Sequence, residues 1–117
     1  MEGLITMKED QKELTQEQID AWKKQFGSVY KTVVSGEPFI WRKLKRGEYV
    51  KVMTKESLKK GSQDARVYAR QDEITKICTL YPEDIEKKIE ENGALSSVIS
   101  DEIMFRSGFA AEETTEL

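Results

Sequence analysis

Residues 28–44 read SVYKTVVSGEPFIWRKL, and their period of two decides the fold class. Val29, Lys31 and Val33 alternate with Tyr30, Thr32 and Val34 in a run rich in β-branched residues, the kind that pack well on a pleated surface. Ser35-Gly36-Glu37-Pro38 is turn chemistry, because glycine tolerates positive φ and Pro38 cannot donate to a central ladder. Phe39 to Leu44 then forms a second strand, with Phe39 and Trp41 on one face and Ile40, Arg42 and Leu44 on the other. The stretch predicts a β-hairpin over 28–44. Two strands alone are marginal in water, so the hairpin must pack on a helix or pair with another chain. Large apolar groups on both faces make it the expected recognition surface for self or partner, with Trp41 as its anchor.

On either side of the hairpin the period changes to that of a helix. Upstream, Thr15 followed by Gln18 matches a capping box, and Leu14 and Ile19 stand at the positions of a hydrophobic staple. Ile19, Trp22 and Phe26 then recur on one helical face until Gly27, which predicts a helix over 15–26. Downstream, Tyr49, Val52 and Met53 mark a short helix expected to run towards Gly61. Ser62 restarts a longer one, with Ile74, Ile77, Cys78 and Tyr81 as its apolar stripe. Pro82 is expected in the first turn of a further helix that turns Ile85 and Ile89 inward and stops at Asn92-Gly93. The last helix carries Leu95, Val98, Ile99 and Ile103, and Gly108 before Phe109 resembles a C-cap with a hydrophobic clasp. The expected fold class is α+β, mostly α: an N-terminal helix, one β-hairpin, then a bundle of about four short helices over 47–108. Residues 14–109 form the single globular domain, flanked by a flexible arm over 1–13 and an acidic flexible tail over 110–117. A chain of 117 residues has room for one such core.

Composition narrows the chemistry. Charged residues make up 35% of the chain and there is no histidine, which removes the commonest general base and metal ligand. One cysteine excludes an internal disulfide and a cysteine-based metal cage. Cys78 lies on an apolar stripe and is expected in the core. The carboxylate pairs Asp72-Glu73, Glu83-Asp84 and Asp101-Glu102 lack the apolar surroundings that raise a catalytic pKa. Ser96, Ser97 and Ser100 have no base to activate them. The expectation is a protein without enzymatic activity, cofactor or metal. No apolar run exceeds three residues and the first fifteen carry no secretory pattern, so an intracellular, non-membrane protein is expected.

The net charge of −3 conceals an asymmetry. Residues 42–70 hold ten basic side chains against three acidic ones, a local charge of +7, whereas residues 71–117 hold four against twelve, a charge of −8. A basic block suits an acidic partner or phosphate. Only Tyr49 and Tyr68 lie within it, too few aromatics for base stacking, so nucleic acid is the less favoured partner. The opposed blocks could also neutralise each other within the fold or between subunits of a homo-oligomer. The candidate partner-binding residues are Phe39, Ile40, Trp41, Arg42, Lys43, Lys45 and Arg46.

Three stretches, in order, resemble one family. Phe39-Ile40-Trp41-Arg42-Lys43-Leu44-Lys45-Arg46-Gly47-Glu48-Tyr49 is similar to the F-I-x-R-x-L-x-R-x-E-Y passage from hairpin to helix in small tail-assembly proteins of tailed bacteriophages. Ile77-Cys78-Thr79-Leu80-Tyr81-Pro82 resembles their C-x-L-Y-P helix break. Residues 95–109, from Leu95 to Phe109, are similar to their closing helix, whose I-M-x-x-S-G-F ending is matched by Ile103 to Phe109. The resemblance implies a tail assembly chaperone in the host cytoplasm that keeps the tape-measure protein soluble and recruits tail-tube subunits, with no catalytic residues. The alternatives are a structural virion component of the tail, baseplate or neck, and a small nucleic-acid-binding regulator using the basic block.

Overall fold

A computed structural model describes residues 13–109 and 113–117 of the chain. The first helix, α1, spans Gln16–Phe26 and starts as its sequence requires: the Gln18 N–H donates to Thr15 Oγ1 at 3.1 Å, which satisfies one of the orphan donors of the first turn. Gly27 ends it at φ +86, and its N–H donates to the Lys23 carbonyl at 2.8 Å. None of its residues is buried; Ile19, Trp22 and Phe26 are half-covered.

Strands β1 (Val29–Val34) and β2 (Glu37–Arg42) form the expected antiparallel hairpin, in register from Val29 opposite Arg42 to Val34 opposite Glu37. Ser35 and Gly36 both take positive φ, +52 and +79. A two-residue turn of that hand matches the right-handed twist of the strands it joins. Pro38 sits second in β2, opposite Val33.

The hairpin is not two-stranded. A third strand, β3 (Thr79–Tyr81), pairs antiparallel with β2, Ile40 opposite Tyr81 and Trp41 opposite Thr79, giving the sheet order β1-β2-β3. This corrects the expectation of one continuous helix from Ser62 to Tyr81, because the helix ends at Cys78. The physical reason is local. A residue before proline is driven towards extended backbone, and Thr79-Leu80-Tyr81 is a β-favouring triplet standing next to the open edge of β2. Pro82 therefore lies outside the helix it was expected to start, which begins three residues later at Ile85.

The remaining helices are α2 (Arg46–Thr54), α3 (Gln63–Cys78), α4 (Ile85–Glu91) and α5 (Leu95–Arg106), with a 3-10 turn at Glu56–Leu58. Helix α2 stops at Thr54, well before Gly61. Ser62 caps α3 by accepting the Ala65 N–H at 3.2 Å. Helices α3 and α5 make the main helix–helix contact.

One core unites these elements. Phe39, Trp41 and Leu44 meet Val52 of α2, Ile74 and Cys78 of α3, Ile85 of α4, and Leu95, Ile99 and Ile103 of α5. Val98, expected inward, is 40% exposed. The inward stripe of α5 instead follows Leu95, Ile99 and Ile103, flanked by buried Ser96 and Ser100. The Thr75 hydroxyl donates to the Ser96 carbonyl at 3.4 Å, so that flank approaches α3 through small polar groups. The class is α+β, mostly α, with three antiparallel strands and five helices among the described residues. No helix among them is long and apolar enough to cross a membrane. Residues 113–117 are exposed and carry no regular structure, residues 110–112 lie outside the described residues, and the expected arm over 1–13 lies outside them except for Glu13.

Candidate partner-binding surface

The seven candidate residues of the hairpin and its exit divide into three groups. Phe39, Ile40 and Trp41 are 1%, 3% and 1% exposed, so the expectation that one face of the hairpin waits open for a partner is corrected. A third strand and the helices supply the cover that two strands lack. Trp41 stacks on Tyr30 with centroids 4.7 Å apart, and its indole N–H donates to Thr32 Oγ1 at 2.8 Å. A buried indole with its donor satisfied is core.

Arg42 is a staple. Its guanidinium forms a fork on Glu48, two hydrogen bonds of 2.8 Å, and donates to the carbonyls of Lys43 at 3.0 Å and Ile77 at 3.3 Å. It also lies over the Phe26 ring at 5.3 Å. One side chain thus ties the end of β2 to α1, α2 and α3. Glu48 completes the joint by accepting the Lys45 backbone N–H at 3.0 Å, at the head of α2. Arg42 holds the Glu48 carboxyl below its ordinary value of 4.5, while Glu48 raises Arg42. The charged pair favours the folded state fully above the ordinary carboxylate pKa, and that contribution is lost as the pH falls through the lowered folded value. Glu48→Gln is expected to cost about 1 kcal/mol at neutral pH, allowing for solvent screening of a partly exposed pair. The gap between the thermal melts of the two forms should begin to narrow as the pH falls below about 4.5 and close once it passes the lowered folded value; a gap that stays constant as the pH falls to 3 would refute the ion-pair reading.

Lys43, Lys45 and Arg46 are the third group. All three are exposed, and none pairs with a carboxylate among the described residues. Arg46 rests over the Tyr49 ring at 5.5 Å, which orients it. Beside this corner, a cleft of about 360 Å³ between α2 and α3 is lined by Lys51, Val52, Thr54, Lys55, Glu73 and Ile77. Lys55 is held across it by Glu73 at 3.0 Å, whereas Lys51 is exposed. Within the basic block, then, Glu48, Glu73 and Glu56 pair with Arg42, Lys55 and Lys59, which leaves Lys43, Lys45 and Arg46 together at the β2–α2 corner, Lys51 on α2, and Lys60, Arg66 and Arg70 further along the chain.

Sequence reading missed the Arg42–Glu48 staple. Their separation of six residues fits neither a helical nor a strand period, and only the bend at Lys43-Leu44-Lys45 brings them together. Leu44 is fixed there by its own N–H, which donates to Ser107 Oγ at the end of α5 at 2.8 Å. Cys78 is fully buried as expected, and burial pushes its thiol up to about 12, so it is no thiolate nucleophile at neutral pH. No group of three metal-ligating side chains is present among the described residues.

No family model, curated protein or solved structure matches the chain. The stretches Phe39 to Tyr49, Ile77 to Pro82 and Leu95 to Phe109 all contribute to the one core: Phe39, Trp41 and Leu44 from the first, Cys78 from the second, Leu95, Ile99 and Ile103 from the third, with Phe109 packed against it. They share packing roles.

Proposed function

We propose that the protein is a non-enzymatic tail assembly chaperone of a tailed bacteriophage, which binds the tape-measure protein in the host cytoplasm and assists tail-tube assembly. The observation that carries this reading is the uncompensated basic corner. Lys43, Lys45 and Arg46 project from a bend that Arg42, Glu48 and Ser107 hold in place, so the charges are presented on a rigid frame. Such a corner selects acidic stretches of a client and accelerates encounter more than it deepens affinity. The resemblance of the three core stretches to tail-assembly proteins supports the choice of client.

The reading is tested by co-purification of tagged tape-measure protein with the wild type and with Lys43→Glu/Lys45→Glu/Arg46→Glu. These side chains are exposed and outside the core, so the fold should survive. The wild type is expected to retain the client at low salt and release most of it near 0.5 M, where the Debye length falls to roughly 4 Å. The variant should lose the client at every salt concentration. Equal retention by both would refute the corner as the client surface.

A further inference from the structure

A second surface lies apart from the basic corner. Strand β1 is an edge strand: β2 pairs with one side, and no described residue pairs with the other. Natural edges are usually blunted by proline, bulges, several charges or a covering segment. The sequence VYKTVV has no proline, its pairing with β2 is regular throughout, and Lys31 is its one charge. Apolar surface collects around it. Val33 is 58% exposed on its outer face and Phe105 is 54% exposed. The Arg106 guanidinium lies over both Tyr30, at 5.9 Å, and Phe105, at 5.6 Å, which places Phe105 beside the strand. Helix α1, whose Ile19, Trp22 and Phe26 are only half-covered, contacts β1 as well.

We propose that this edge pairs with β1 of a second copy, antiparallel about a two-fold axis at Thr32, to make one six-stranded sheet across a dimer. The register follows from comparison with its two neighbours. Directly opposed residues in an antiparallel pair share a face, so a two-fold axis normal to the sheet must set one residue opposite its own copy. Centred on Lys31, the pairing would oppose two ammonium groups. Centred on Val33, it would draw the Ser35-Gly36 turn into the ladder and leave Val29 unpaired. Centred on Thr32, it sets Thr32 opposite Thr32 of the second copy, Tyr30 opposite Val34, and Lys31 opposite Val33. Threonine pairs and aromatic–β-branched pairs are favourable cross-strand partners. The strand is thus complementary to itself, which commits the edge to a second copy rather than to an unrelated extended peptide. The inference stands independently of the client surface, since Lys43, Lys45 and Arg46 take no part in it.

Light scattering on a concentration series of the full chain tests it. The mass is expected to rise from 13.5 kDa to twice that value. Val33→Lys sets an ammonium opposite Lys31 of the second copy, twice by symmetry, and should raise the dimer dissociation constant about tenfold or more. Val33 and Lys31 are exposed, so circular dichroism should be unchanged. Adding Lys31→Glu to Val33→Lys restores opposite charges across the ladder and should recover the wild-type constant to within about threefold. A monomer from micromolar to millimolar concentration would overturn the proposal. So would a dimer indifferent to Val33→Lys, or a double variant that fails to recover.

Discussion

Ile103→Asp is expected to abolish the cooperative fold. Ile103 is fully buried in α5, on the stripe it shares with Leu95 and Ile99, within a cluster that contains no cation to receive a carboxylate. An unpaired charge there must be desolvated or protonated, at a cost of several kcal/mol. A domain of this size has only about 5–15 kcal/mol to lose. Circular dichroism should show loss of the thermal transition, or a midpoint lowered by tens of degrees. The control lies five residues earlier on another face of the helix: Val98→Asp, at a position 40% exposed, should change stability by no more than about 0.5 kcal/mol. If Ile103→Asp melts normally, α5 does not face the core.

Trp41→Ala has the next largest expected effect, about 3–5 kcal/mol of destabilisation. The loss has three parts: the ring area buried at 1% exposure, the stacking against Tyr30, and the donor that satisfies Thr32 Oγ1. Trp41→Phe keeps most of the first two and removes the third, so it should cost far less, on the order of 1–2 kcal/mol. Denaturant unfolding with unchanged m-values would read both numbers. A near-neutral Trp41→Ala would mean that the indole is not a packing element and would reopen the hairpin as an exposed recognition face.

The sequence was legible where the period was strong. Thr15, Gly27, Ser62 and the alternation from Val29 to Val34 mark their caps and strands through local chemistry that needs no tertiary partner. The third strand was not legible. Thr79-Leu80-Tyr81 is too short to show a period, and it follows a helix whose own stripe points straight into it. What makes it a strand is the free side of β2, which lies 38 to 41 positions earlier in the chain and meets it only once the chain has folded back on itself, with Pro82 opposing helix at Tyr81. The burial of Ile40 and Trp41 follows the same pattern. Alternation identified which residues share a face, but whether each face was covered depended on elements remote in sequence. Val98 was misplaced for a narrower reason. Four apolar residues spread over more arc than the core has room for, and the buried face turns towards α3 through Ser96 and Ser100, which leaves Val98 on the opposite, exposed flank. At the candidate surface, the basic block was visible as composition. Its division into a staple, two further neutralised pairs and an exposed corner required the fold.

A chaperone of the proposed kind serves assembly and is not part of the finished particle. The most direct measurement is quantitative mass spectrometry of two fractions from infected cells, the unassembled tape-measure protein captured by affinity and the purified mature virions. The account predicts the chain in the first fraction, in at least equimolar amount with its client, and its absence from the second. Stoichiometric presence in mature virions, with none bound to unassembled tape-measure protein, would contradict it.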